Sequence, residues 1–281
     1  MTWKIVSDSG CDFQKIKDLA VATNFERIPL TIQVGNEIFT DDAELDIDEM
    51  MEKMYATSTA SKSACPSPDD YLKSFADADN IFVVTITGTL SGSNNSAQLA
   101  KKLYQEEHPN VNIHVIDSLS AGGEIDLIVH KLNHLIGQGL SFEEVVQAIT
   151  DYQEKTKLLF VLSKVDNLVK NGRLSKLLGT VVGLLNIRMV GEASSQGTLE
   201  LLQKARGHKK SLTAAFEELL KAGYAGGEII IAHRNNTKFC QQFSEMVREK
   251  FPQAVIEVIP TSGLCSFYAE ENGLLIGYEI Q

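Results

Sequence analysis

Ile81-Phe82-Val83-Val84-Thr85-Ile86-Thr87-Gly88-Thr89-Leu90-Ser91-Gly92-Ser93-Asn94-Asn95-Ser96-Ala97 is an apolar run that empties into a hydroxyl-rich turn and then into a helical pattern. The β-branched and aromatic character of residues 81–86 predicts a buried strand, and the spacing over 93–103 predicts a helix. A strand that feeds a helix through a short turn leaves backbone N–H groups and the positive end of the helix dipole unpaired, and Ser91 and Ser93 add hydroxyl donors. The turn therefore predicts an anion site made of neutral donors. It contains no Lys, Arg or acid, so a proton transfer would lack its base there. A plain helix cap accounts equally for Ser91.

Working outward, strand-like runs at 3–6, 81–86 and 111–116 alternate with helical patterns at 13–22, 71–78, 93–103 and 125–135. This is the rhythm of a parallel sheet with flanking helices. Ser141 stands three residues before Glu144, a capping box that starts a helix over 145–152 and closes the first half. Beyond Lys157 the rhythm changes to a strand at 158–162, short helices at 164–170 and 174–185, and a hairpin of 187–190 with 199–203. Then come a helix at 211–222, a strand at 228–232, a helix at 237–251, a strand at 254–259 and a final strand at 274–280. The expected architecture is α/β in two domains, residues 1–155 with a mainly parallel sheet and residues 156–281 with a mixed sheet.

Composition limits the functions open to such a chain. Its 281 residues, 43% of them apolar, suffice for one large or two medium cores. With 26 basic against 37 acidic residues the net charge is −11, which disfavours nucleic acid and anionic membrane as partners. The N-terminus reads directly as a strand rather than as a signal peptide, and the apolar stretch 177–187 is too short to span a bilayer, so a cytoplasmic protein is expected. Cys11, Cys65, Cys240 and Cys265 form no C-x-x-C pair and are expected as free thiols. His130 and His134 share a helix face but lack the glutamate of H-E-x-x-H; a solvated face is expected there, and no metal site.

The familiar chemical signatures are missing. Gly88 and Gly92 make neither G-x-G-x-x-G nor a P-loop, and Thr89-Leu90-Ser91-Gly92-Ser93 is not a nucleophile elbow. A second hydroxyl-rich stretch runs from Thr57 to Ser67. Its end is a helix start, with Ser67 as cap and Pro68 at the first helical position, while Thr57 to Ser63 are either a solvated linker or a binding segment converging with Ser91. A third stretch, Asn171-Gly172-Arg173-Leu174-Ser175, precedes apolar residues that recur on more than one helix face. These include Leu178, Val181, Val182 and Leu185, which either line a cavity or fill the core.

Taken in order, Asp8-Ser9, Ser63-Ala64-Cys65-Pro66-Ser67-Pro68, Leu90-Ser91-Gly92-Ser93, Asn171-Gly172-Arg173-Leu174-Ser175, Leu185-Asn186-Ile187-Arg188 and Lys204-Ala205-Arg206-Gly207 resemble the DegV family over essentially the whole chain. The resemblance implies a DegV-like fold that holds one long-chain fatty acid between its two domains, with no other cofactor and no catalysis of its own. It implies further that an ATP-binding fatty acid kinase subunit is the partner that phosphorylates the bound carboxylate. The family's head-group contacts carry over to Ser63, Ser91, Gly92 and Ser93; Arg173, Arg206 and Tyr268 are candidates for the head group or for kinase docking. Two departures stand out. Ala64 lacks a hydroxyl, and Ser266 to Asn272 replace the family's Gly-Thr-His-x-Gly-Pro-Gly, with Tyr268 at the histidine. Glu270 and Glu271 would oppose an acyl phosphate if they pointed inward, so retained acyl binding with altered kinase coupling is expected. The alternative is a subunit resembling those of dihydroxyacetone kinase that acts on a small polar substrate, although the hydroxyl-rich loops lack the histidine for a covalent adduct.

Overall fold

Four parallel strands build the first sheet in the order β2-β1-β6-β7: β1 (Trp3–Asp8), β2 (Thr23–Ile28), β6 (Asn80–Thr85) and β7 (Asn112–Asp117). The computed structural model describes residues 1–175 and 186–281. The helix read over 174–185, apart from Leu174 and Ser175, and the positions Leu178, Val181, Val182 and Leu185 therefore lie outside the described residues. Period-two alternation sends Val6, Ile81 and Val83 to one face of the sheet and Ile5, Phe82 and Val84 to the other. The first face is covered by α2 (Pro68–Ser74) and α3 (Ser93–Glu107), the second by α4 (Gly123–Gly137) and α5 (Phe142–Gln153). Ser67 caps α2 ahead of Pro68, and Ser141 forms the capping box with Glu144, as their spacing predicts.

The second sheet has the order β10-β9-β8-β13-β11-β12 and is mixed, since only β11 and β12 run parallel. It comprises β8 (Thr156–Leu162), β9 (Ile187–Ala193), β10 (Leu199–Arg206), β11 (Glu228–His233), β12 (Val255–Pro260) and β13 (Leu274–Glu279). Leu159, Val161, Ile229, Ile231 and Ile276 bury one face against α7 (Gly207–Lys221) and α8 (Thr237–Lys250). Leu158, Phe160, Leu162 and Leu275 point to the opposite face, where they pack with Val165, Leu168, Cys265 and Ala269.

A small antiparallel sheet, β4-β3-β5, is absent from the sequence expectation: β3 (Thr31–Val34), β4 (Glu37–Thr40) and β5 (Lys62–Ala64). Its Ile32 and Val34 pack on Met50, Met51 and Met54 of α1 (Ile47–Ala56) and on Phe267 of α9 (Gly263–Ala269). Residues 13–22 correct the reading: no helix forms there. Phe13, Ile16 and Ala20 keep the helical spacing and pack on the first core, but Asp18 and Ala22 adopt positive φ of 53° and 56°. Asn133 of α4 holds the loop, accepting from the Ala20 amide at 2.8 Å and donating to the Asp18 carbonyl at 3.2 Å. Tertiary hydrogen bonds here override a local periodicity.

The two large sheets meet through α4, whose residues are buried on nearly every side. Contact at its first turn is backbone to backbone. A Cβ on Gly123 would lie 2.6 Å from the Gly277 nitrogen and 2.5 Å from the Ile230 carbonyl oxygen.

Candidate functional site

β6 ends at Thr85, and the three residues that follow are tied to β1, to the loop after β7 and to β7 itself. The Ile86 amide donates to Asp8 Oδ2 at 3.0 Å, the Thr87 amide to the Ser120 carbonyl at 2.9 Å and the Gly88 amide to Asp117 Oδ1 at 3.0 Å. The turn also receives the β9–β10 hairpin, whose antiparallel pairing matches the sequence expectation. Thr87 Oγ1 donates to the Gly197 carbonyl at 3.0 Å and Thr89 Oγ1 to the Gln196 carbonyl at 2.6 Å. Gly92, at the head of α3, has no side chain to cap the helix; the Ser93 amide donates to Ser91 Oγ at 3.3 Å, and the positive end of the helix dipole lies at the turn.

A cavity of about 310 Å³ opens between the sheets at this turn. Ser63, Ser91, Gly92, Arg173 and Tyr268 all line it. β5 brings Ser63 to α9, where its hydroxyl and that of Tyr268 are 2.7 Å apart. Arg173 follows α6 (Asp166–Lys170) and is drawn to the turn, its Nε donating to the Leu90 carbonyl at 3.2 Å while Nη1 donates to the Asn171 carbonyl. Asn171 in turn donates to the Ser61 carbonyl at 3.0 Å, which fastens this loop to the strand that carries Ser63. Gly92 sits against Cys65, whose sulfur would be 3.0 Å from a Cβ at that position. Apart from Thr87 and Ser120 the rest of the wall is apolar, notably Leu158, Phe160, Leu162, Leu168, Leu199 and Leu275. Among the described lining residues Arg173 is the only charged one, so the cavity has the polarity of a receptor for an amphiphilic anion.

Two candidates are placed elsewhere. Ser93 is fully buried behind the turn, where its hydroxyl donates to Asp8 and lies 2.7 Å from the Tyr71 hydroxyl; it does not line the cavity. Arg206 is exposed where β10 meets α7, also away from the lining. Neither glutamate of the altered segment enters the cavity. Glu270 is buried and accepts from the Asn167 amide at 3.2 Å, burial pushing its carboxyl above the usual range, and Glu271 lies 3.8 Å from Arg234 Nε. His130, placed on a solvated face by its spacing, is half-exposed and pairs with Glu228 at 2.7 Å.

Asp8, part of the Asp8-Ser9 motif but given no role by the sequence, is central to the turn. It lies at the end of β1, the parallel neighbour of β6, so sheet register alone brings an acid beneath a turn that has none of its own. Its carboxylate accepts from the Gly10 amide at 2.9 Å, from Ile86 and from Ser93. Burial nevertheless pushes its pKa from 3.8 up to about 6, against the lowering effect of those hydrogen bonds. The folded protein therefore binds the Asp8 proton more tightly than the unfolded chain. Stability from this group is full below about pH 4 and is lost as pH rises through about 6. At 1.36 kcal/mol per unit the swing is about 3 kcal/mol. The melting temperature of the wild type minus that of Asp8→Asn should accordingly fall between about pH 4 and about pH 7, as read by calorimetry; a pH-independent difference would contradict the assignment.

A family described as the uncharacterised DegV proteins has a sequence profile that matches residues 2–280. A DegV domain-containing protein of Streptococcus gordonii is 82% identical over 280 residues, 100% of both chains. The crystal structure of the Streptococcus pneumoniae Fatty Acid Kinase (Fak) B3 protein loaded with linoleic acid superposes with a TM-score of 0.99 at 74% identity, covering 100% of both chains. A DegV family protein from Eubacterium eligens loaded with heptadecanoic acid superposes with a TM-score of 0.96 at 39% identity, again over 100% of both chains. The chain belongs to the DegV family.

Proposed function

We propose that this chain binds one long-chain fatty acid between its two halves and presents the carboxylate to an ATP-binding kinase subunit. The observation that carries the reading is the cavity itself, an apolar wall closed at one end by Ser63, Ser91, Gly92, Tyr268 and a single cation, Arg173. The acids carried by the pneumococcal and Eubacterium relatives are of the same class. Residues 1–155 and 156–281 act as the two domains that clasp the ligand; the parallel sheet drawn from the first and the mixed sheet drawn from the second support this division. Leu178, Val181, Val182 and Leu185 complete the tail lining in this reading.

The chemistry follows from what the head-group end contains. Each buried methylene of the tail contributes about 0.8 kcal/mol before ordering costs, so the tail supplies affinity. Arg173 and the positive end of the α3 dipole favour the ionised carboxylate, the form able to attack a phosphorus atom. No His, Asp, Glu or Lys is among the described lining residues, and in this reading the phosphate donor is the partner's. One carboxylate oxygen attacks the terminal phosphorus of ATP held by the partner, ADP leaves, and an acyl phosphate results. No resident cofactor is required. The carrier works in the cytoplasm beside its ATP-consuming partner; among the described residues no helix is long and apolar enough to cross a membrane.

Organic extraction of the purified protein followed by mass spectrometry should yield about one equivalent of a long-chain acid, and delipidated protein should take one up again. With ATP and a fatty acid kinase subunit, the bound acid should become trappable by hydroxylamine as a hydroxamate. An empty extract together with no uptake by delipidated protein overturns the binding reading. Binding without hydroxamate overturns only the presentation to a kinase.

A further inference from the structure

The cavity wall is not uniform along β8. Leu162, Phe160 and Leu158 all line it at alternate positions of the strand, about 7 Å apart, so Phe160 stands between two leucines. The neighbours of Phe160 differ on its two sides. Across β13 it faces Leu275, but across β9 it faces Gly191. A Cβ on Gly191 would lie 2.5 Å from Cζ and 2.6 Å from Cε2 of the Phe160 ring. The tip of the ring thus occupies the volume that any other side chain at position 191 would fill. It can lean back over β9, out of the cavity, only because that position is glycine.

Two consequences follow for a tail lying along β8. At the level of Phe160 the bore is as wide as the ring's retreat allows, and the ring has nowhere further to go, since the β9 backbone lies behind it. Leucines above and below yield by rotamer changes, whereas the fully buried ring is held by its fit to Gly191. We propose that Phe160, seated over Gly191, is the specificity-determining residue for acyl-chain length, the step in the wall that sets how far a tail reaches. This rests on the fatty-acid reading given above.

Gly191 is not a clean test, because a Cβ there also meets the Glu200 carbonyl oxygen at 2.2 Å. Phe160→Ala and the milder Phe160→Leu are. Delipidated wild type and both variants are titrated with tetradecanoic, hexadecanoic, octadecanoic and icosanoic acids, with melting temperature as the check on folding. Removing the ring should raise the preference for icosanoic over hexadecanoic acid about tenfold in the alanine variant, the gain from burying two more methylenes, with the leucine variant moving the same way by less. If the alanine variant does not fold, the leucine variant decides. A length profile identical to wild type, or a uniform loss of affinity at every length, overturns the proposal while leaving fatty-acid binding intact. Failure of the wild type to bind any of the four acids overturns the fatty-acid reading itself.

Discussion

Replacing Gly277 with alanine should lower the melting temperature by roughly 6–12 °C, about 3 kcal/mol at the upper end of ordinary overpacking costs. The added Cβ would lie 2.1 Å from the Gly123 carbonyl oxygen, 2.2 Å from its carbon and 2.4 Å from the Glu124 nitrogen. All three are backbone atoms of the first turn of α4, so no rotamer change relieves the clash, and the helix must lift from β13. Lifting it parts the two sheets, so fatty-acid uptake should fall together with stability. Gly139→Ala is the control: its φ is +76°, but a Cβ there meets nothing within 4 Å. That variant should lose about 1 kcal/mol from backbone strain alone and keep its ligand. A melting temperature for Gly277→Ala equal to that of the control would show that the backbone contact between the halves contributes nothing.

The second large effect concerns Asp41 and Arg27, whose side chains are 1% and 5% exposed and 3.1 Å apart. Arg27 also donates to the Cys11 carbonyl at 2.9 Å and to the Asp41 carbonyl at 2.6 Å. Asp41 receives the Gly263 amide at 2.8 Å and the Leu264 amide at 2.7 Å, the opening of α9. Asp41→Ala therefore strands a buried guanidinium and leaves two amides without an acceptor, a loss of about 3–5 kcal/mol in denaturant titrations. Because α9 carries Leu264, Cys265 and Tyr268 to the cavity, ligand affinity should drop as well. The double variant Asp41→Leu/Arg27→Met should recover part of the stability, since removing both charges avoids the uncompensated one. A single-variant loss below about 1 kcal/mol, within the range of exposed ion pairs, would place the pair among decorative contacts.

The sequence disclosed these two regions unequally. Strand β6 is readable because burial on both faces makes it a nearly continuous apolar run, β1 and β7 through shorter clusters of apolar residues, and Ser67 and Ser141 announce their helices through cap chemistry. The β3–β4 hairpin did carry a signal, Gly35-Asn36 between alternating residues, with Gly35 at φ +60°. Residues 13–22 misled because Phe13, Ile16 and Ala20 satisfy a helical period while serving a loop. Of the head-group candidates, Ser63, Ser91, Gly92, Arg173 and Tyr268 converge on the cavity, whereas Ser93 and Arg206 do not. Ser93 shows why: a hydroxyl in a promising turn faces either the ligand or the sheet, and only the position of Asp8, 85 residues away in sequence, decides between them. Likewise the acceptor for the Gly263 amide lies 222 residues upstream. Neither pairing leaves a local trace.

The burial of α4 also bears on how the protein is made. Its outer face is covered by β11 and β13, and β13 ends at Glu279, about 140 residues after the helix does at Gly137. At roughly 5–20 residues per second of synthesis, the ribosome leaves that apolar face uncovered for about 7–30 s after the helix has emerged. For that interval the nascent first half exposes an apolar surface ready for a chaperone or for another nascent chain.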